Sequence, residues 1–301
     1  MRRSLASLCA AACLLALPGS APAEAPAVSS ATTAAAVRPA LWKVSDADTT
    51  IWLFGTIHIL PQDVDWYKGP VRAALEGSGE LVTEIPIDET QQSAAVIVAK
   101  SRRGDGKSLR DALPPVERTK YEAGMTALGL PVGLFDGNDT WFAALMMTMI
   151  PLKLAGYSTE SGIDEQVAAK ARARHMTNTA LESAAFQIDL FENLPEPTQQ
   201  AYLAEVVEAL PTVKTDIDEM VGAWKQGDPE RLARLLNEDE SDPQMRRVLI
   251  TDRNATWARW LKARLDRPGT VFVAVGAGHL AGKDSVQDML AKAGVRTKRV
   301  Q

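Results

Sequence analysis

The 301-residue chain carries 33 lysines and arginines against 38 aspartates and glutamates, with three histidines and two cysteines. Its basic residues are scattered and the formal charge is −5, a balance that argues against nucleic acid as a partner. The length suffices for one large domain or two closely packed ones.

Met1-Arg2-Arg3, the apolar stretch from Leu5 to Leu17 and the small-x-small pattern Ala21-Pro22-Ala23 read as a secretory signal peptide over residues 1–23. The stretch falls short of the ~20 residues a membrane span needs, so no span is expected in the mature chain. Cleavage would remove both cysteines, Cys9 and Cys13, together with two arginines and no acid, taking the formal charge from −5 to −7. The mature protein, periplasmic or secreted, would then have no thiolate ligand, and a metal would have to be held by histidine, carboxylate and water.

Residues 24–39 are rich in alanine, proline, serine and threonine and read as a flexible linker. Order is expected from Leu41-Trp42-Lys43-Val44. A turn at Asp46-Ala47-Asp48 then leads into the buried strand Thr49 to Phe54, giving a hairpin. Gly69-Pro70 opens a short helix that Gly77 ends, and Glu80 to Ile85 is a second core strand. From about 89 to 265 helical spacing dominates, with turn signals at Pro114-Pro115, Gly129-Leu130-Pro131, Asp136 to Asp139 and Gly227-Asp228-Pro229. Strand character returns at Thr270 to Val275, followed by a helix from Ser285 to Ala293 and a last strand from Val295 to Val300. The expected fold is therefore α/β: a central sheet formed by the N- and C-terminal strands, with a large, mainly helical middle region packed on it. Residues 40–301 read as a single domain with that helical insertion. Within it, the apolar run Trp141 to Ile150, stopped by Pro151, reads as a buried helix or as the wall of an apolar pocket.

Two tetrapeptides carry the chemistry: Gly55-Thr56-Ile57-His58 and Gly276-Ala277-Gly278-His279, each directly after a strand-like run. With Glu84 after the second strand, they put two imidazoles and a carboxylate at the carboxyl ends of strands, where open α/β sheets bind ligands. That set, His58, Glu84 and His279, suits a divalent ion such as zinc, manganese or cobalt, or an acid–base centre. The plainer alternative is that both histidines hydrogen-bond buried backbone. His175, among arginines near a helix end, reads as a helix-terminus charge.

These motifs, with Leu81-Val82-Thr83-Glu84, Gly162-Ile163-Asp164, Leu181-Glu182-Ser183 and Gln187, Gly227-Asp228, Arg253-Asn254 and Gly282, resemble the TraB/GumN family, related to the Tiki proteins and to PrgY. The resemblance covers roughly Leu41 to Val300. It implies a metal-dependent hydrolase fold, with the two glycine-x-x-histidine motifs and Glu84 as the site of a Tiki-like metalloprotease and with distant kinship to erythromycin esterases and haem-binding proteins. Ser183-Ala184-Ala185 departs from a more acidic family run, which bears only on carboxylates beyond Glu182.

Within that frame Asp164 and Glu182 are candidates to orient the imidazoles or to act as base, and Arg253 to stabilise an anionic intermediate. A buried structural ion pair is the alternative for all three. The expected activity is metal-dependent hydrolysis of a peptide or small-molecule substrate; the competing reading is a binding protein for haem, a peptide or another small ligand. The helical metalloprotease signature of two histidines with an adjacent glutamate is absent from the sequence.

Overall fold

The computed structural model describes residues 37–61, 64–236 and 242–301, without the side chains of 90–94. The expected signal peptide and all but the last residues of the expected linker lie outside this range. From Arg38 the chain is tied down, since the Arg38 N–H donates to the Lys225 carbonyl at 2.8 Å.

Six strands form one sheet: β1 (Leu41–Ser45), β2 (Thr49–Thr56), β3 (Glu80–Thr83), β4 (Thr177–Ala180), β5 (Gly269–Gly276) and β6 (Lys298–Arg299), in the order β4-β3-β5-β2-β1-β6. β4, β3, β5 and β2 run parallel, while β1 lies antiparallel to both β2 and β6. The β1–β2 hairpin is the expected one, its turn held by Asp46 Oδ1 accepting from the Thr49 N–H at 2.8 Å. Because β5 inserts between β2 and β3, both ends of the chain contribute central strands, as the apolar runs at the two ends imply.

Side-chain alternation splits the sheet into two buried faces. Val271, Val273 and Val275 of β5, with Ile51, Leu53 and Val82, pack against Trp257, Ala258 and Leu261 of the helix Asp252–Arg264 and against Leu290. Phe272, Ala274, Phe54 and Leu81 point the other way, into a larger core that holds Trp66, Trp141, Met147, Tyr202 and Trp224. Helices therefore cover both faces, which is why the central strands are apolar throughout.

The middle region is mainly helical, with one correction: it supplies β4, which pairs with β3 at the sheet edge. Thr177-Asn178-Thr179-Ala180 has no apolar run and alternates exposed with half-buried positions, so periodicity gave no strand signal. The helix Thr140–Leu154 is apolar all round and buried from Thr140 to Leu145, as a helix wrapped by others must be. It continues through Pro151 rather than stopping there, because only the final turn lies beyond the proline. The closing strand is shorter than expected, Lys298–Arg299 alone. Gly227, with φ +64°, ends the helix Val213–Gln226 in the left-handed conformation, and a Cβ there would stand 2.3 Å from the Arg38 carbonyl oxygen. No helix among the described residues is long and apolar enough to cross a membrane.

Candidate active site

The carboxyl ends of β2, β5, β3 and β4 lie side by side, and each releases a polar side chain: His58, His279, Glu84 and Glu182. The two glycine-x-x-histidine motifs interlock there. A Cβ on Gly55 would meet Ala277 Cα at 3.0 Å. A Cβ on Gly276 would stand 3.2 Å from His58 Nε2, 3.2 Å from Glu84 Oε1 and 3.6 Å from His279 Cδ2. Each motif's glycine thus makes room for the other motif, which is the physical reason for glycine at both places. The structure brings His58, Glu84 and His279 around one point.

Solvent reaches one end of this cluster. His58 Nδ1 lies 2.7 Å from Asp164 Oδ2, with side chains 15% and 35% exposed respectively. Asp164 Oδ1 accepts from the Thr56 hydroxyl at 2.6 Å, so the carboxylate is held from both sides. Ile163 N–H donates to the Ile57 carbonyl at 2.8 Å, docking the loop that carries Asp164 onto the one that carries His58. Gly162 is required at that junction, for its Cβ would fall 2.2 Å from the His58 carbonyl oxygen.

The other end is a buried hub built on Arg253. Its Nε donates to Glu182 Oε1 at 3.0 Å, and its Nη2 to Glu84 Oε2 at 2.7 Å and Glu182 Oε2 at 2.8 Å. Its Nη1 meets the Leu249 carbonyl and His279 Nε2, both at 3.1 Å. Gln187 Nε2 bridges Glu84 and Glu182 at 2.9 Å each, and Trp257 Nε1 donates to Glu182 Oε1 at 2.8 Å. All five guanidinium hydrogens have acceptors, so the expected role of Arg253 as an oxyanion donor is not open to it without breaking one of these bonds. The Glu182 carboxylate hydrogen-bonds Arg253, Gln187 and Trp257, whereas Asp164 takes the orienting part expected of the pair through its bond to His58. A π-helical turn, Arg247–Thr251, precedes Arg253 and contains the Leu249 carbonyl that receives it.

Charge follows from this packing. Burial works against an ionised Glu84, but the Arg253 charge, then the two histidines and the Gly276 N–H at 2.7 Å, outweigh it and hold the carboxyl well below its ordinary range. Burial, followed by the Arg253 charge, lowers His279 to about 3 against the opposing pull of Glu84.

A divalent ion coordinated by His58, Glu84 and His279 does not fit this arrangement. A guanidinium faces His279 Nε2, the nitrogen that would have to turn to the metal, and takes one of the two Glu84 oxygens. Among the described residues no group of three or more histidine, cysteine, aspartate or glutamate side chains is placed to hold an ion. Haem ligation through His279 meets the same obstacle, with Trp257 tilted against the imidazole, ring centres 4.4 Å apart. His175 is exposed, with φ +52°, just past the end of the helix Ile163–Ala173.

Sequence reasoning assigned no role to Thr56, Gln187, Asn254 or Trp257. Thr56, Gln187 and Asn254 stand within the motifs quoted above, and Asn254 and Trp257 share with Arg253 the i, i+1, i+4 spacing of one helix face.

A model of the TraB/PrgY/gumN family matches residues 40–299. The chain is 24% identical over 238 residues to "Uncharacterized protein YbaP" of Escherichia coli (strain K12), covering 79% of this chain and 86% of that one. The protein of that name from Shigella flexneri matches to the same extent. An "Uncharacterized protein" of Treponema pallidum (strain Nichols) is 19% identical over 267 residues, 83% of this chain and 80% of its own. No solved structure matches the chain.

Proposed function

The chain belongs to the TraB/PrgY/gumN family, and on that premise we propose that it is an exported hydrolase in which His58, oriented by Asp164, activates water against an acyl substrate, a peptide or an ester. One observation carries the reading: the Asp164–His58 pair at 2.7 Å, braced by Thr56 and standing at the solvent-reached edge of the parallel strands.

The chemistry follows from donor and acceptor roles. With Nδ1–H donating to Asp164, His58 Nε2 carries the lone pair and takes a proton from water as the hydroxide forms its bond to the substrate carbonyl carbon. The same nitrogen then returns that proton to the leaving amine or alkoxide as the acyl bond breaks. Asp164 and the ionised Glu84 stabilise the imidazolium formed in between, Glu84 being kept anionic by the hub behind it. Because the Arg253 guanidinium occupies His279 Nε2, the proposed steps use His58 and its carboxylates alone. Export rests on the leader at residues 1–23, and N-terminal sequencing of the secreted chain reads its cleavage.

The test uses purified mature protein with a panel of short fluorogenic peptides and aryl esters. His58→Ala should lower kcat/KM by about 10²–10⁴ on any substrate turned over, and Asp164→Asn should follow it. A substrate hydrolysed equally well by wild type and His58→Ala overturns the reading. So does stoichiometric zinc, manganese or cobalt that is lost in His58→Ala and His279→Ala, which would restore the metal-activated water expected from the sequence.

A further inference from the structure

His279 matches His58 in sequence context, yet the two imidazoles are held in opposite ways. Arginine cannot accept a hydrogen bond, so the 3.1 Å contact between Arg253 Nη1 and His279 Nε2 requires the lone pair on Nε2. The proton of the neutral ring then sits on Nδ1, which lies 2.6 Å from Asn254 Oδ1.

The Asn254 amide is itself oriented by its surroundings. Its Nδ2 donates to the Asp284 carbonyl at 2.8 Å and faces the His279 carbonyl at 3.4 Å. Both are pure acceptors, so the amide cannot be turned over without opposing like groups. Asp284 presents its carbonyl from a left-handed backbone, φ +60°, a conformation that aspartate tolerates better than most residues and that its surroundings hold in place. Asn254 is fully buried, and Trp257 of the same helix packs tilted against the imidazole, ring centres 4.4 Å apart. One helix thus grips His279 at both nitrogens and on its ring.

We infer that Asn254 is a positioning residue that fixes His279 as the Nδ1–H tautomer, so that His279 serves as a neutral hydrogen-bond acceptor holding the Arg253 guanidinium against Glu84 and Glu182, and not as a ligand or proton carrier. Arg253 needs this fourth acceptor. Two carboxylates and one backbone carbonyl take four of its hydrogens, and His279 Nε2 accepts the other Nη1 hydrogen. A third carboxylate in that position would add a buried negative charge to the two already sharing one cation. A neutral imidazole supplies the lone pair without the charge.

The inference stands apart from the hydrolase reading, because its test needs no substrate. Imidazole ¹⁵N spectra of the full mature chain at neutral pH should show His279 with a protonated Nδ1 and a bare, hydrogen-bonded Nε2. Asn254→Leu removes the acceptor and should lower the ratio of Nδ1–H to Nε2–H tautomers at least about tenfold. Asn254→Asp keeps an acceptor for Nδ1–H while setting its second oxygen against the Asp284 and His279 carbonyls, and a folded variant should retain the wild-type tautomer at reduced stability. Added Zn²⁺ should leave the His279 resonances where they were. An Nε2–H tautomer in the wild type overturns the inference by itself, even if the leucine variant fails to fold. A coordination shift at His279 Nε2 on adding Zn²⁺, or an unchanged tautomer in a folded Asn254→Leu, also overturns it. If the spectra are as expected and no substrate is turned over, the hydrolase reading fails alone.

Discussion

Arg253 Nη2 stands 2.7 Å from Glu84 Oε2, with the two side chains only 5% and 7% exposed, and the same guanidinium also holds Glu182. One cation therefore serves two buried carboxylates. Removing it leaves like charges facing each other in a poorly solvated place, a change that costs about 3–5 kcal/mol in comparable buried pairs. Arg253→Met should show a loss of that size in urea denaturation. Arg253→Lys should recover only part of it, since an ammonium cannot reproduce the planar fork that reaches Glu182, Glu84 and His279 together. Wild-type stability in Arg253→Met would mean that the hub is not the source of order assigned to it.

The same hub makes the fold acid-sensitive. His279 is lowered to about 3 from an ordinary 6.5, so between those values the unfolded chain binds the proton and the folded one does not. Glu84 is likewise held below its ordinary 4.5, so below that pH the unfolded state again takes up more protons. Both effects have one sign: stability is present at neutral pH and falls as the pH drops, first from about 6.5 and more steeply from about 4.5. Denaturation midpoints measured from pH 8 to pH 4 should show the decline. His279→Gln, which retains an acceptor for Arg253 but cannot titrate, should flatten the stretch between 6.5 and 4.5. A profile identical to wild type would remove His279 from the account.

Much of this was legible beforehand, for a simple reason. Val271 to Val275 and Ile51 to Phe54 are apolar enough to be buried on both faces, so they had to be central, and whatever followed them had to share one edge of the sheet. That logic puts His58, Glu84 and His279 together. It cannot say where hydrogen bonds go. The sequence offers Arg253 as a cation near carboxylates, but its role depends on which acceptors use its five hydrogens, a matter of ångströms. His58 and His279 look alike as text; one is backed by a carboxylate and the other by an arginine and an amide. β4 was hidden because an edge strand with two exposed positions needs no apolar pattern.

Gly276 and Gly278 belong to one motif, yet alanine should act differently at each. A Cβ at Gly276 comes within 3.2 Å of His58 Nε2 and Glu84 Oε1, whereas at Gly278 it meets only Leu236 Cδ1, at 3.4 Å. Gly276→Ala must push the imidazole or the carboxylate aside by a few tenths of an ångström, enough to spoil a proton transfer while leaving the fold intact. The expected result is a fall in kcat/KM of at least about tenfold with little change in melting temperature, against near-wild-type behaviour for Gly278→Ala. Equal activity in the two variants would place the reacting atoms elsewhere than beside Gly276.

The Thr56 hydroxyl tests whether Asp164 orients His58 or merely sits beside it. It donates to Asp164 Oδ1 at 2.6 Å while Oδ2 faces His58 Nδ1 at 2.7 Å, so the carboxylate is fixed in plane by a buried group that cannot touch substrate. Thr56→Val keeps the shape and removes the donor, and a lost bond to a charged acceptor costs about 1.5–3 kcal/mol. Part of that loss should appear as stability and part as looser aim: kcat down by roughly tenfold with KM unchanged, because the imidazole is held less often in line with the attacking water. Asp164→Asn should be far more severe, on the order of 10⁴ in kcat, since an amide can donate to Nδ1 and so favour the wrong tautomer. If Thr56→Val and Asp164→Asn both keep wild-type kcat on a substrate that needs His58, the imidazole works without its carboxylate and the pair is only structural.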